Sequence, residues 1–340
     1  MYSIIESDTE KIIQRIDFTK LKNKSILITG ASGLIGIHIV SCLKKIQKEY
    51  NINIFCWIKS ELDINSKEFF KNCTIITGNI ADVSVINKLN EFDFIIHAAG
   101  YAQPSKFLEH KITTIELNTI STIKLIDKLK KNGTFLFLST SELYSGLMDG
   151  GIDENMIGNT NTNHPRACYI ESKRTGESIC YAYKELGYNI KIARVSSAYG
   201  PGTKLNDKRV LNTLIEKGIV EDKITLLDNG SARRIFCYIT DTVEMLFNIM
   251  LNSNDILYNV SGIHEFSILE LANRIGNLLN KPVYVCNNNY GGVIGNPNAM
   301  NISNIKYMNE FCTNPLQFTD FDYGLLKTIE WQKALIGFNK

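Results

Sequence analysis

Along the first 195 residues, short apolar runs alternate with longer stretches of mixed character. In "SILITGASGLIGIHIVSCLKKI", Ile26 to Thr29 form an apolar run of β character, and a glycine cluster follows. A helical pattern then runs through Ile37, Val40, Leu43 and Ile46. Five further runs predict strands over 52–57, 73–80, 92–100, 133–141 and 189–197, with helix-like stretches at 82–90, 112–131 and 168–187. Strands that are apolar throughout, separated by helices, predict an α/β fold: a doubly wound parallel sheet covered on both faces.

After Val195 the alternation weakens. "SSAYGPGTKLNDKRV" reads as loop, punctuated by Gly and Pro. Two more strands are expected at 223–228 and 234–239, and helices at 241–251 and 267–279. The Asn-rich stretch 287–301 reads as a loop near a site. The expected layout is a helical extension over 1–23, a nucleotide-binding domain over 24–195, and a smaller substrate lobe over 196–340. Segments within about 233–262 of that lobe should return to the sheet.

Composition narrows the partners. The 340 residues are 44% hydrophobic and 21% charged, and 37 basic against 35 acidic side chains leave a formal charge of +2. No basic stripe points to nucleic acid. No apolar run is long enough to span a bilayer, and the charged N-terminus has no signal-peptide core, so no membrane partner is expected. The eight cysteines are scattered, without a CxxC pair or a Cys/His cluster. That argues against structural zinc and fits a reducing cytoplasm.

The glycine cluster carries the first chemistry. Gly30, Gly33 and Gly36 are spaced G-x-x-G-x-x-G, directly after a strand and at the start of a helix. Glycine lets the backbone turn tightly beside a pyrophosphate, and the helix N-terminus offers unpaired N–H groups. In dinucleotide folds an acidic residue often ends the second strand and binds the adenosine ribose. Here Trp57, Ile58, Lys59 and Ser60 occupy that region, with no carboxylate before Glu61. Lys59 suits a 2′-phosphate, so NAD and NADP both stay open.

"PRACYIESKR" carries the second. Tyr169 and Lys173 are four residues apart and share a helix face. Upstream, "LSTSELY" (138–144) ends the fifth strand at the carboxyl edge, where α/β sheets bind ligands. The glycine loop, "HAAG", the Ser/Thr strand end, YxxxK and "YGPG" together resemble the extended short-chain dehydrogenase/reductase family. The resemblance runs over nearly the whole chain from Lys24 and implies a Rossmann sheet.

By that resemblance Tyr169 is the catalytic acid/base. An unperturbed phenol titrates near ~10, and the Lys173 ammonium and a cationic nicotinamide would both favour the phenolate. Lys173 would also bond the nicotinamide ribose, and Thr140 would orient the substrate hydroxyl. The implied cofactor contacts are Gly30, Ser32, Gly33, Leu34, Ile35, Gly36, Lys59, Asn79, Ile80, Ala98, Ala99, Gly100, Tyr169, Lys173 and Ser196.

"TSELY" followed by "PRACYxxxKRxxE" and "CYAY" resembles the UDP-glucuronate decarboxylase branch. There the glutamate, here Glu142, assists once the sugar C4 is oxidised. A dehydratase would carry Asp where this chain has Ser141. Arg234, seven residues before Asp241, matches the arginine that grips a nucleotide pyrophosphate. "NDKRV" resembles the nucleotide-sugar loop "NDGRV", bringing in Asn206 and Arg209. Three departures stand out: Ser197 for an asparagine, Asn298 and Asn301 where an arginine and an aspartate are usual, and Lys59.

The expected function is internal redox on a nucleotide sugar, as in a decarboxylase or epimerase. One rival is an NADPH-dependent reductase of a nucleotide-linked keto sugar. Another is a non-catalytic nucleotide-sensing scaffold, which retention of Thr140, Tyr169 and Lys173 argues against. The resemblance also implies a homodimer built on a four-helix bundle, with Ile120, Ile123, Leu125 and Ile126 as compatible apolar positions.

Overall fold

A computed structural model describes residues 2–147, 151–286 and 301–338. The chain forms strands β1 (Ser25–Thr29), β2 (Asn53–Ile58), β3 (Thr74–Thr77), β4 (Phe92–His97), β5 (Leu129–Thr140) and β6 (Asn189–Val195). Beyond these come β7 (Ser197–Tyr199), β8 (Ile224–Leu226), β9 (Arg233–Tyr238), β10 (Leu257–Val260), β11 (His264–Ser267) and β12 (Val283–Val285). The main sheet is seven-stranded, in the order β10-β6-β5-β4-β1-β2-β3, and every pairing in it is parallel.

The inner strands are mostly apolar because both faces are covered, while the edge strand β3 is largely exposed. Ile26 and Ile28 enter the core on one face, with Ile54, Cys56, Ile96 and Leu136. Leu27 enters the core on the other, with Ile95, Phe135 and Phe137. The register aligns the carboxyl ends: Thr29 faces Trp57 on one side and His97 on the other, His97 faces Phe137, and Thr140 faces Val195. The chain reverses its direction of travel across the sheet between β1 and β4, which opens a crevice at this edge.

Several expectations need correction. The helix expected over 112–131 is instead two, Lys111–Asn118 and Ile120–Ile126, with a separate helix Pro104–Glu109 before them, and Leu129 already begins β5. The backbone steps out of helical geometry at Thr119 (φ −118°, ψ −75°), and pairing of Leu129 with Phe92 draws the following residues into the sheet. Part of the stretch read as loop after Val195 is strand β7, which pairs with β9. The return of 233–262 to the main sheet is made by β10 alone. β9 lies in a separate three-stranded sheet with β7 and β11, because the helix Ile239–Asn252 that follows it directly makes the crossover into β10. The helices Val210–Val220, Ile305–Glu310 and Phe321–Phe338 had not been anticipated.

The N-terminal helix Ser3–Ile13 buries Ile5, Asp8, Thr9 and Ile12. The Tyr238 hydroxyl donates to Asp8 Oδ2 at 2.7 Å, and Thr9 Oγ1 donates to Ser41 Oγ at 2.8 Å. The extension is therefore tied to both the glycine-loop helix and the strand that carries Arg234. Among the described residues no helix is long and apolar enough to cross a membrane, and no group of three metal-ligating side chains forms.

Candidate active site

The glycine turn is too crowded for any other residue. Gly30 has φ +68°, and a methyl group there would stand 2.8 Å from the Ala98 carbonyl oxygen. At Gly36 it would stand 2.3 Å from the Gly30 carbonyl oxygen. The helix Leu34–Tyr50 starts from Gly33, whose place as N-cap brings no side-chain bond to the first-turn N–H groups. Ser32, Leu34 and Ile35 are half-buried around this turn. An anion fits such an end.

The neighbouring "HAAG" segment is held by a buried relay. His97 Nε2 lies 3.0 Å from the Leu117 carbonyl oxygen, which can only accept, so Nε2 carries the proton. Nδ1 then accepts from Thr29 Oγ1 at 2.9 Å, and Thr29 accepts the Ala99 N–H at 3.1 Å. Burial holds His97 neutral, with its pKa pulled down to about 3. The relay fixes Ala98, Ala99 and Gly100 opposite the glycine turn.

Thr140 ends β5, and Tyr169 and Lys173 lie in the helix Ala167–Glu185; all three are buried. The phenol of Tyr169 lies beside the Thr140 side chain, which favours its ionised form. Burial, then the charge of Glu142, push its pKa well above the usual phenol range, while Thr140, Arg166 and Arg209 oppose this. The resting group is a neutral phenol. Lys173 Nζ donates to the Leu138 carbonyl at 2.6 Å and lies over the Phe137 ring. Burial lowers its pKa to about 8.

The expected lysine–phenol proximity thus takes a particular form. Both side chains reach the end of β5, the phenol at Thr140 and the ammonium at Leu138. A methyl group at Gly100 would stand 3.9 Å from Lys173 Nζ and 3.8 Å from Asn118 Oδ1, and that Asn118 oxygen is buried without a partner. Ser196 Oγ is likewise buried and unpaired. With the glycine turn, these groups fit a nicotinamide dinucleotide.

Glu142 is the second residue of the short 3-10 turn Ser141–Tyr144, its N–H bonded to Thr140 Oγ1 at 3.2 Å. Arg166 grips its carboxylate with two nitrogens, Nε to Oε2 at 3.0 Å and Nη2 to Oε1. Burial raises the Glu142 pKa, opposed first by Arg166 and then by Arg234 and His164. Arg234 is pulled down by burial and by the like charge of Arg166. Two arginines and one carboxylate therefore share this end of the crevice. Ser141 is buried beside them.

The remaining expected residues are more dispersed. Lys59 donates to the Tyr101 hydroxyl at 2.6 Å, and Tyr101 stacks on His110. Asn79 is exposed and accepts the Ala81 N–H, while Ile80 is buried and its carbonyl accepts from Ser121. Ser197 is exposed at the start of β7. Asn206 is exposed, with φ +59°. Arg209 is fixed by Asp207, Nη2 to Oδ2 at 2.6 Å. Asn298 and the stretch 287–300 lie outside the described residues; Asn301 gives its carbonyl to the Ile152 N–H at 2.8 Å.

Sequence reasoning missed several members of this site. Phe107 stacks on Tyr169, and Asn118 Nδ2 donates to Ser172 Oγ at 2.9 Å on the same helix. Arg194 and Glu177 form a buried pair, Nη2 to Oε2 at 2.7 Å, and Ser139 also donates to Glu177. That network clamps the YxxxK helix to β5 and β6. The i+4 step from Lys173 to Glu177 was the one available signal.

Comparison with known proteins places the chain. Residues 26–261 match the NAD dependent epimerase/dehydratase family. UDP-glucuronic acid decarboxylase 1 of Danio rerio is 31% identical over 258 residues, 75% of this chain and 61% of that protein. The chain thus matches about three-fifths of that relative's length. UDP-glucuronic acid decarboxylase 5 of Arabidopsis thaliana is 31% identical over 270 residues, 77% of each chain. The solved UDP-glucuronic acid 4-epimerase of Bacillus cereus, in complex with UDP-glucuronic acid and NAD, superposes with a TM-score of 0.73 at 20% identity. That superposition covers 92% of this chain and 99% of the epimerase. A Rossmann sheet with a glycine turn and the Thr140, Tyr169 and Lys173 side chains at one edge agrees with these matches, and the chain belongs to the NAD dependent epimerase/dehydratase family.

Proposed function

We propose that this protein carries out internal redox on a nucleotide-linked sugar, with a nucleoside-diphosphate-bound uronic acid such as UDP-glucuronate as substrate and decarboxylation as the outcome. The observation that carries this reading is the Thr140–Tyr169 pair at the end of β5, with the Glu142–Arg166–Arg234 cluster beside it. A bound nicotinamide would accept the hydride from the sugar C4 and later return it.

With substrate and cofactor bound, the Tyr169 phenol would first lose its proton to solvent, and the phenolate then takes the C4 hydroxyl proton as the hydride leaves, while Thr140 orients that hydroxyl. Lys173 would hold the cofactor ribose, and a cationic nicotinamide beside the phenol would draw it toward ionisation. The C4 ketone lets the C6 carboxylate leave as carbon dioxide, with the electron pair passing into the carbonyl. The resulting enolate takes a proton at C5, which Glu142 carries; its raised pKa suits that task. Arg234 and Arg209 supply cationic partners for the diphosphate.

The test is incubation with UDP-glucuronate. Release of one carbon dioxide per nucleotide sugar, with no net change in cofactor, supports the reading. An unchanged sugar nucleotide overturns it. Lys59, with no carboxylate at the end of β2, favours a second reading: an NADPH-dependent reductase of a keto sugar. Consumption of added NADPH by such a substrate would select it.

We also propose a homodimer in a reducing compartment such as the cytoplasm. Ile112, Ile115 and Ile120 are exposed on neighbouring helices, and all eight cysteines are free. Of the positions expected to pair, Leu125 and Ile126 instead lie in the protomer's own core.

A further inference from the structure

The crevice contains an arginine to which neither the glycine turn nor the YxxxK motif assigns a task. Arg166 lies just ahead of the helix that bears Tyr169, and its side chain is 4% exposed. Its guanidinium spends two nitrogens on one carboxylate, that of Glu142, 24 residues earlier in the chain. It also lies 5.3 Å from the centroid of the Phe107 ring, which is stacked on Tyr169. Glu142 is tied from its other side, because its N–H is bonded to Thr140, the neighbour of the Tyr169 phenol. The carboxylate and the phenol are thus cross-braced through Arg166 and Phe107 on one path and through Thr140 on the other.

We infer that Arg166 is a positioning residue: it holds the Glu142 carboxylate at the sugar for the stage that follows hydride removal. This rests on the nucleotide-sugar reading above. A planar two-nitrogen fork fixes a carboxylate in direction as well as in place, which a single ammonium cannot do. Burial disfavours the charged form of Glu142, and Arg166 is the first influence opposing it. An unbraced Glu142 would be free to swing away from C5, so that the proton it takes up from water could not be placed on the enolate. The hydride stage depends on Thr140, Tyr169 and Lys173 and does not need the fork itself; Arg166 reaches it only as one of the lesser charges favouring Tyr169 ionisation. The proton delivered to the enolate after carbon dioxide leaves depends on it directly.

The two stages can be read separately. In the first, the C4 hydride reduces the bound nicotinamide and the hydroxyl proton goes to Tyr169. In the second, the C6 carboxylate leaves as carbon dioxide, C5 is protonated and the hydride returns. The experiment mixes the cofactor-loaded protein with UDP-glucuronate, following nicotinamide absorbance and sugar product together. Arg166→Met should keep its cofactor and reduce it at close to the normal rate, while product formation falls by roughly 10²-fold, the scale of a misplaced catalytic group. Reduced cofactor then accumulates. Arg166→Lys restores the charge without the fork and should recover only part of the second stage. Loss of cofactor with equal slowing of both stages in both variants would show a purely structural arginine and overturn the inference. So would a second stage that proceeds normally in Arg166→Met. If the unmodified protein never reduces its cofactor with the sugar nucleotide, the underlying reading fails first and takes this inference with it.

Discussion

The ring of Phe107 lies flat on the ring of Tyr169, with centroids 4.7 Å apart and planes 2° from parallel. Phe107 is fully buried, so it forms a fixed wall that limits how the phenol can turn away from Thr140. Phe107→Leu keeps an apolar filler but removes the flat surface. Turnover should drop about 10-fold, with a stability loss of about 1–2 kcal/mol from the imperfect fit. Steady-state rates and urea midpoints check both. Unchanged turnover in a destabilised variant would mean the stack serves packing alone.

Tyr169→Phe removes the hydroxyl and leaves the stack. Proton transfer by a positioned side chain is worth roughly 10²–10⁴-fold, so turnover should fall within or beyond that range. Cofactor content should not change, because the glycine turn and Lys173, the groups proposed to hold the dinucleotide, are untouched. Extraction and spectrophotometry of bound nicotinamide, beside the activity assay, test the two halves of the claim.

Gly36→Ala tests the turn. The added methyl group would meet the Gly30 carbonyl oxygen at 2.3 Å, and that obstacle is backbone. Either the turn opens or the helix Leu34–Tyr50 backs away, and both spoil the anion site. The variant should purify without nicotinamide. Gly78→Ala is a fair control for a methyl group: nothing lies within 4 Å of the added carbon, and only its φ of +143° adds strain. Equal cofactor content in the two variants would refute the assignment of the turn.

How much of this was legible in the chain depends on the range of the interactions. The main strands could be read because both faces are buried, which leaves Ile26, Leu27 and Ile28 as an unbroken apolar run. The glycine turn and the Tyr169–Lys173 pair could be read because their chemistry needs fixed local spacing. Strand β7 could not: three residues beside Gly200 and Pro201 carry no periodicity, and only pairing with β9 makes them a strand. The early start of β5 reflects tertiary pairing with β4 that overrides local propensity. Phe107 and Asn118 were hidden for the same reason, since each meets the Tyr169 helix across more than fifty residues of chain.

The choice between the two cofactors can be tested at Lys59. Its ammonium is held 2.6 Å from the Tyr101 hydroxyl, just beyond β2, where a ribose-binding carboxylate would otherwise stand. If it receives a 2′-phosphate, the protein prefers NADP, and Lys59→Glu should reverse that preference by roughly 10²-fold, about 3 kcal/mol. Titration of the stripped protein with each cofactor measures this. A protein that binds both equally before and after the change would reduce Lys59 to an exposed partner of Tyr101.

The buried histidines make stability depend on pH. Burial pulls His38 down to about 4 and His97 to about 3, from the ordinary 6.5. Below pH 6.5 the unfolded chain takes up protons at both positions while the folded chain does not, so acid favours unfolding until the folded values are reached. Each group then costs roughly 1.4 kcal/mol per pH unit, about 2 kcal/mol by pH 5. Asp241 works the other way. Its pKa is raised to about 6 by burial, so from there toward the ordinary carboxylate range the folded form gains protons first and offsets about one histidine. Asp8, Glu142 and Glu244, also raised by burial, act in the same sense as Asp241, so the histidine contribution is read by difference from urea midpoints. His38 Nε2 is 2.9 Å from the Pro201 carbonyl oxygen and Nδ1 has no partner, so His38→Gln can keep the donor while removing the titration. Relative to the unmodified protein, its stability should gain with acid by up to one proton's slope. A profile parallel to that of the unmodified protein would mean that His38 already titrates normally in the folded state.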